Sequence, residues 1–250
     1  MLKGAMHLRP FGLRRSLYFA LTLIGAMPAL AVSQTITAAS FSDPTTRYAH
    51  GVLGDAIEHG TLVLKIDDGR TVSIVLPTSD VFEDTAPRLL DVDGDGGPEV
   101  VVVQSNARLG AKLAIYDEAG LVADTPNIGR SNRWLAPLGA MDIDGDGLIE
   151  LAYIDRPHLA KQLRIWRFVE GQLEHVSDLD GFTNHRIGER DIAGGLRDCE
   201  GGPEMPEMIV ASADWSRLMA ITFGPKGFKT KTLGRDTSRA AFADAMACNR

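Results

Sequence analysis

Asp91-Val92-Asp93-Gly94-Asp95-Gly96-Gly97-Pro98-Glu99 runs straight into the apolar stretch Val100–Val103. The pattern returns 51 residues later as Asp142-Ile143-Asp144-Gly145-Asp146-Gly147-Leu148-Ile149-Glu150, ahead of Leu151-Ala152-Tyr153-Ile154. Acids stand at positions 1, 3, 5 and 9 of each copy, and Gly at positions 4 and 6. Alternate side chains of a tightly turned loop converge on one point, and Gly supplies the positive φ that such a turn needs. Four carboxylates held so close repel by about 1–4 kcal/mol per pair, according to the local dielectric. A bound divalent cation relieves that repulsion. Ca²⁺, which takes six to eight oxygens from carboxylates, carbonyls and water, suits the residue types.

Two other readings compete. The twelve-residue helical calcium loop also opens D-x-D-x-D-G, but it needs a bidentate Glu at position 12 and flanking helices. Position 12 is Val102 in one copy and Tyr153 in the other, and the flanks are β-branched and apolar. That reading fails. The plainer alternative is an acidic Asp-Gly turn between strands with no metal.

D-x-D-G-D-G-x-x-E followed by a short apolar strand resembles the FG-GAP/VCBS repeat family, which includes the repeats of the integrin α-subunit head. The resemblance is specific over Pro87–Ile115 and Pro137–Trp166. It implies an all-β fold in which each repeat is one blade of a β-propeller, with Ca²⁺ bound between a blade's first two strands. It makes Asp91, Asp93, Asp95 and Glu99 side-chain ligands, with Gly97 giving its carbonyl. In the second loop it implies Asp142, Asp144, Asp146 and Glu150, with Leu148 giving its carbonyl.

Residues 1–31 read as a secretory signal peptide. Lys3, Arg9, Arg14 and Arg15 precede the uncharged Ser16–Leu30, and Ala29-Leu30-Ala31 has the small-x-small form of a cleavage site. A retained anchor is the alternative, although the apolar part is short for a span. Cleavage takes away four basic residues and no acids, leaving 22 Lys+Arg against 33 Asp+Glu. An acidic chain of formal charge −11, with no basic run, lacks the electrostatic footprint for nucleic acid. No membrane insertion is expected after signal removal, and the compartment is periplasmic or secreted. The two cysteines, Cys199 and Cys248, are expected to form a disulfide there, two buried thiols being the alternative.

Repeats of this length point to propellers or solenoids. Strands are expected at Thr61–Ile66, Thr71–Leu76, Leu113–Tyr116, Leu163–Trp166, Leu173–Val176, Leu218–Ile221 and Phe228–Leu233, with Gly51–Asp55 opening an earlier blade. A third, thinned acidic loop runs from Asp198 to Glu207. Four modules result, near 41–84, 85–126, 127–180 and 181–236, none of which buries its faces alone. The expected architecture is a small propeller of four or five blades over 32–236, or an open arc. Thr237–Arg250 is expected to be a short closing helix tethered by the disulfide.

No HExxH, CxxC or G-x-S-x-G is present. Asn132-Arg133-Trp134 and Asn184-His185-Arg186 occupy matching places in successive modules, entering the first strand of a blade. A ring of Arg133, Trp134, His185 and Arg186 is the candidate site for an anionic or carbohydrate ligand; inter-blade salt bridges are the plainer role. His158 reads as a turn residue, and Trp166 and Trp215 as strand packing. The function expected is a calcium-stabilised binding module for a protein or glycan. The alternative is a periplasmic hydrolase or lyase with an axial His/Arg site.

Overall fold

The computed structural model describes residues 1–2, 35–200 and 205–249. The signal-peptide expectation lies outside them, as does the middle of the third acidic loop. The described chain is mostly β: β1 (Ile36–Thr45), β2 (Glu58–Ile66), β3 (Thr71–Val75), β4 (Asp80–Phe82), β5 (Arg88–Leu90), β6 (Glu99–Asn106), β7 (Gly110–Asp117) and β8 (Gly120–Asp124) lie in one antiparallel sheet. The next sheet is formed by β9 (Leu135–Met141), β10 (Glu150–Asp155), β11 (Gln162–Val169) and β12 (Gln172–Asp180). The last contains β13 (Phe182–Thr183), β14 (Gly195–Arg197), β15 (Glu207–Ser212), β16 (Leu218–Gly224) and β17 (Gly227–Gly234), followed by α1 (Arg239–Met246). No helix among the described residues is long and apolar enough to cross a membrane.

The apolar runs after the acidic loops become central strands because both of their faces are covered. Val100 and Val102 of β6 pack with Leu62, Leu64 and Phe82, while Val101 and Val103 pack with Leu135, Leu151 and Trp166. Likewise Ala152 and Ile154 of β10 meet Met208 and Val210 of β15. Consecutive strand groups therefore stack face to face. The outer strands β12 and β17 alternate less and are mostly solvated, and Lys229 and Lys231 guard the edge of β17.

The far face of β15–β16 is covered by the helix: Ile209, Ala211, Leu218 and Ala220 pack against Ala241, Phe242 and Ala245. Ser238 caps α1, accepting from the Ala241 amide at 3.2 Å. Ser238→Ala is expected to cost about 1 kcal/mol, read as a shift in the urea midpoint. Cys199 and Cys248 form the expected disulfide, 49 residues apart in sequence.

Some boundaries differ from the sequence reading. The chain enters the sheet earlier, at β1, and Gly51–Asp55 is a loop. β4, expected in the first module, pairs on one side with β2 (His59 opposite Phe82) and on the other with β6 (Val81 opposite Ser105), and so bridges the first module to the group that carries the first acidic loop. Trp215 lies in the β15–β16 turn at φ 60°, not in a strand.

Candidate functional site

The first acidic loop links β5 to β6 and the second links β9 to β10, so both sit between the first two strands of their groups. Their backbones match: Gly94 and Gly96 have φ of 78° and 92°, Gly145 and Gly147 of 80° and 90°. Their hydrogen bonds match too. Asp91 accepts from the Gly94 and Gly96 amides at 2.8 and 3.1 Å, and Asp142 from Gly145 and Gly147 at 2.7 and 3.0 Å. Glu99 closes the first loop by accepting from the Val92 amide at 2.9 Å, as Glu150 does from Ile143 at 2.8 Å. One carboxylate oxygen each from Asp91, Asp93 and Glu99, and from Asp142, Asp144 and Asp146, lie within 4.8 Å of one another.

What surrounds the loops differs. In the first, Asp93 and Asp95 spend one oxygen each on the Asp95 and Gly97 amides (3.0 and 2.7 Å), and no ion pair reaches the loop among the described residues. A depression of about 160 Å³ beside it adds Asp117 and Glu118 to Asp93, Asp95 and Glu99. Burial pushes Glu99 up to about 7, and the charges of Asp93 and Asp95 add to the rise. An all-oxygen, uncompensated donor set of this kind fits a hard divalent cation. In the second loop a guanidinium stands among the carboxylates. Arg167 Nη2 meets Asp144 Oδ2 at 2.6 Å, Nη1 meets Asp146 Oδ2 at 2.9 Å, and Nε meets Glu150 Oε1 at 2.6 Å. The residues there do not fit a metal without displacing Arg167.

A second cluster forms where loops from all the strand groups meet. His50, after β1, lies 2.6 Å from the buried carboxylate of Glu83, after β4; Ser105 Oγ donates to the other Glu83 oxygen. Trp134, before β9, donates from Nε1 to the Glu83 carbonyl at 2.8 Å. His158, in the β10–β11 turn, is 3.0 Å from His185, and Trp134 stacks over the His158 ring with an 11° interplanar angle. Trp134 meets His185 edge-on at 4.8 Å between centroids. The Gly188 amide donates to the Val52 carbonyl at 2.9 Å, tying the last group's loop to the first. Burial pulls His158 down to about 4, with the neighbouring His185 adding to the fall. His185 is lowered as well, by burial first.

This cluster backs a pocket of about 220 Å³ lined by His50, Arg133, Trp134, Arg156, His158 and Ile187. A larger groove of about 390 Å³, beside Met205 and Lys229, is lined among the described residues by no acid or histidine. Of the four residues expected to form a ring, Trp134 and His185 do meet, and Arg133 lines the same pocket as Trp134. Arg186 does not join them: its guanidinium lies 3.8 Å over the Trp215 ring, near Glu189. Sequence reasoning missed His50, Glu83 and His158, whose places in three separate loops share no local pattern.

The chain is thus a mostly β protein of stacked antiparallel sheets, with acidic turns between the first two strands of two of its groups. Residues 91–153 match the family model of the FG-GAP-like repeat. This segment is an FG-GAP-like repeat, consistent with the FG-GAP/VCBS repeat family. No curated protein and no solved structure matches the chain.

Proposed function

We propose that the chain is a calcium-stabilised interaction module of β-propeller type that works outside the cytoplasm. The observation that carries this reading is the FG-GAP-like repeat at residues 91–153, whose first loop gathers Asp91, Asp93, Asp95 and Glu99 without a compensating cation among the described residues. Asp91, Asp93, Asp95 and Glu99 would hold Ca²⁺ with the Gly97 carbonyl. The ion supplies positive charge that fixes the β5–β6 turn and hence the stacking of β6. The sheets act as blades of an arc open beyond the β13–β17 sheet, because α1 rather than the first sheet covers the far face of β15–β16. The Cys199–Cys248 disulfide supports an oxidising compartment, periplasmic or secreted.

The loop-convergence pocket is the proposed contact for a protein or glycan partner. Arg133 offers a cation, Trp134 an aromatic edge, and Ile187, 72% exposed, an apolar rim. Calcium titration with thermal melting tests the core of the reading. At a hundredfold excess over Kd, calcium is expected to add about 2.7 kcal/mol, or about 5–10 °C in Tm for a chain of this size. Chelator should remove the gain. Identical melting curves with calcium and with chelator would sink the reading.

One observation favours a second reading, a hydrolase or lyase. His50 is paired with the buried Glu83 and faces the same pocket as His158, which is held neutral; such a pairing can orient a general base. Turnover of a glycan or ester that His50→Gln abolishes, with the fold intact, would replace the binding reading.

A further inference from the structure

We infer that Arg167 is the resident cation of the second acidic loop, so that Asp142–Glu150 is held together without metal and the described chain binds one calcium rather than two. The part of this inference that concerns stoichiometry rests on the calcium reading of the first loop.

The two loops are alike in sequence, backbone and turn hydrogen bonds, so the difference between them lies in one facing position. β10 and β11 pair with Glu150 opposite Arg167. β6 and β7 pair with Val100 opposite Tyr116, which puts Asp117 opposite Glu99. The same place in the repeat therefore carries opposite charges: an acid that adds to the first loop's set, a guanidinium that neutralises the second's.

The fit of Arg167 is specific. Asp144 gives Oδ1 to the Asp146 amide, Asp146 gives Oδ1 to the Leu148 amide, and Glu150 gives Oε2 to the Ile143 amide. Arg167 takes the remaining oxygen of each, using all three of its nitrogens. These are the oxygens a metal would need. A planar fork of five N–H donors matches several carboxylates at once, and charge-assisted bonds of this length are strong. A divalent ion entering the loop would have to break three of them and leave a guanidinium, 21% exposed, beside a like charge. The guanidinium gives the turn the same service as the ion, holding Asp144, Asp146 and Glu150 together, but independently of calcium.

The test is reciprocal charge exchange on the full chain, with calcium alone as the probe, read by equilibrium dialysis and by circular dichroism for the fold. Wild type should bind one equivalent tightly. Asp142→Asn and Asp144→Asn should leave that affinity within about twofold. Arg167→Asp, which gives the second loop the charges of the first, should add a second equivalent, and Asp117→Arg should weaken the first by a hundredfold or more. Should Arg167→Asp not fold, Arg167→Gln keeps the bulk, removes the charge and should also gain calcium. Two tight equivalents in wild type, one of them lost in Asp144→Asn, would overturn the inference while leaving the calcium reading standing. No calcium bound by wild type would sink the calcium reading; the role of Arg167 then stands if its replacement gains a site and falls if it does not.

Discussion

Replacing Cys199 and Cys248 together by serine should lower the unfolding free energy by about 4 kcal/mol, the chain entropy released when a cross-link closing a loop of this length is removed. The disulfide spans 49 residues, and what it restrains is more than a tail. α1 has eight residues, too few to persist as a helix alone in water. Its stability comes from Ala241, Phe242 and Ala245 against β15 and β16. Arg197 strengthens the same junction: it pairs with Glu207 and donates to the Ala245 carbonyl. Without the cross-link the helix remains docked by these contacts and by the pairing of Arg239 with Glu189 and Asp191, and each time it leaves, Ile209, Ala211, Leu218 and Ala220 lose their cover. Urea denaturation of the double serine variant reads the cost, and proteolysis near residue 237 reads the release of the tail. A midpoint shift equivalent to less than 1 kcal/mol would mean that the docked helix, not the cross-link, holds this end of the array.

The parts of the fold legible in the sequence are those whose residues announce both their period and their boundaries. Val100–Val103 between an Asp-Gly turn and a polar stretch leaves little choice but a strand buried on both faces, and β6 is that strand. The closing helix was legible from its Ala-rich tail. β1 was not, because Ile36–Thr45 is polar, contains Pro44 and is mostly solvated; it is a strand because it pairs with β2 over nearly its whole length. At the candidate site, matching Asn132–Trp134 with Asn184–Arg186 was enough to bring Trp134 and His185 to one place. It misplaced Arg186, since the stacking partner that draws the guanidinium away, Trp215, sits in a turn with no signal of its own. His158, read as a turn residue, is in a turn, but that turn reaches into the cluster. Arg167 was available to sequence reasoning. Setting Leu113–Asp117 beside Leu163–Arg167 aligns Asp117 with Arg167, and the opposite charges follow.

Glu58→Gln should make the protein more stable above neutral pH, against the usual direction for a core substitution. Glu58 opens β2 and is 2% exposed. Burial first, then the charges of Glu83, Asp55 and Asp84, push its carboxyl up to about 9. The folded chain therefore holds a proton that the unfolded chain releases above about pH 4.5. Between pH 4.5 and 9 the native state binds more protons than the unfolded one, so stability falls as pH rises through this window, by about 1.4 kcal/mol per unit at most. By pH 7 the accumulated cost is at most about 3 kcal/mol. Glutamine keeps the shape, stays neutral and has no proton to hold. At pH 5 the variant and wild type should melt within about 2 °C of each other; at pH 8 the variant should melt higher, by up to about 10 °C, since the three pH units between them are worth at most about 4 kcal/mol. His158 and His185 act with the opposite sign. Held below their ordinary value, they contribute stability that is full above about pH 6.5 and lost as pH falls through the lowered folded value of His158, about 4. Both proteins carry that loss, so it cancels in the difference between them, which isolates Glu58. A variant destabilised equally at pH 5 and pH 8 would mean that the carboxyl is ionised in the fold and held by a partner, and the buried acid group around Glu83 would then have to carry its charge.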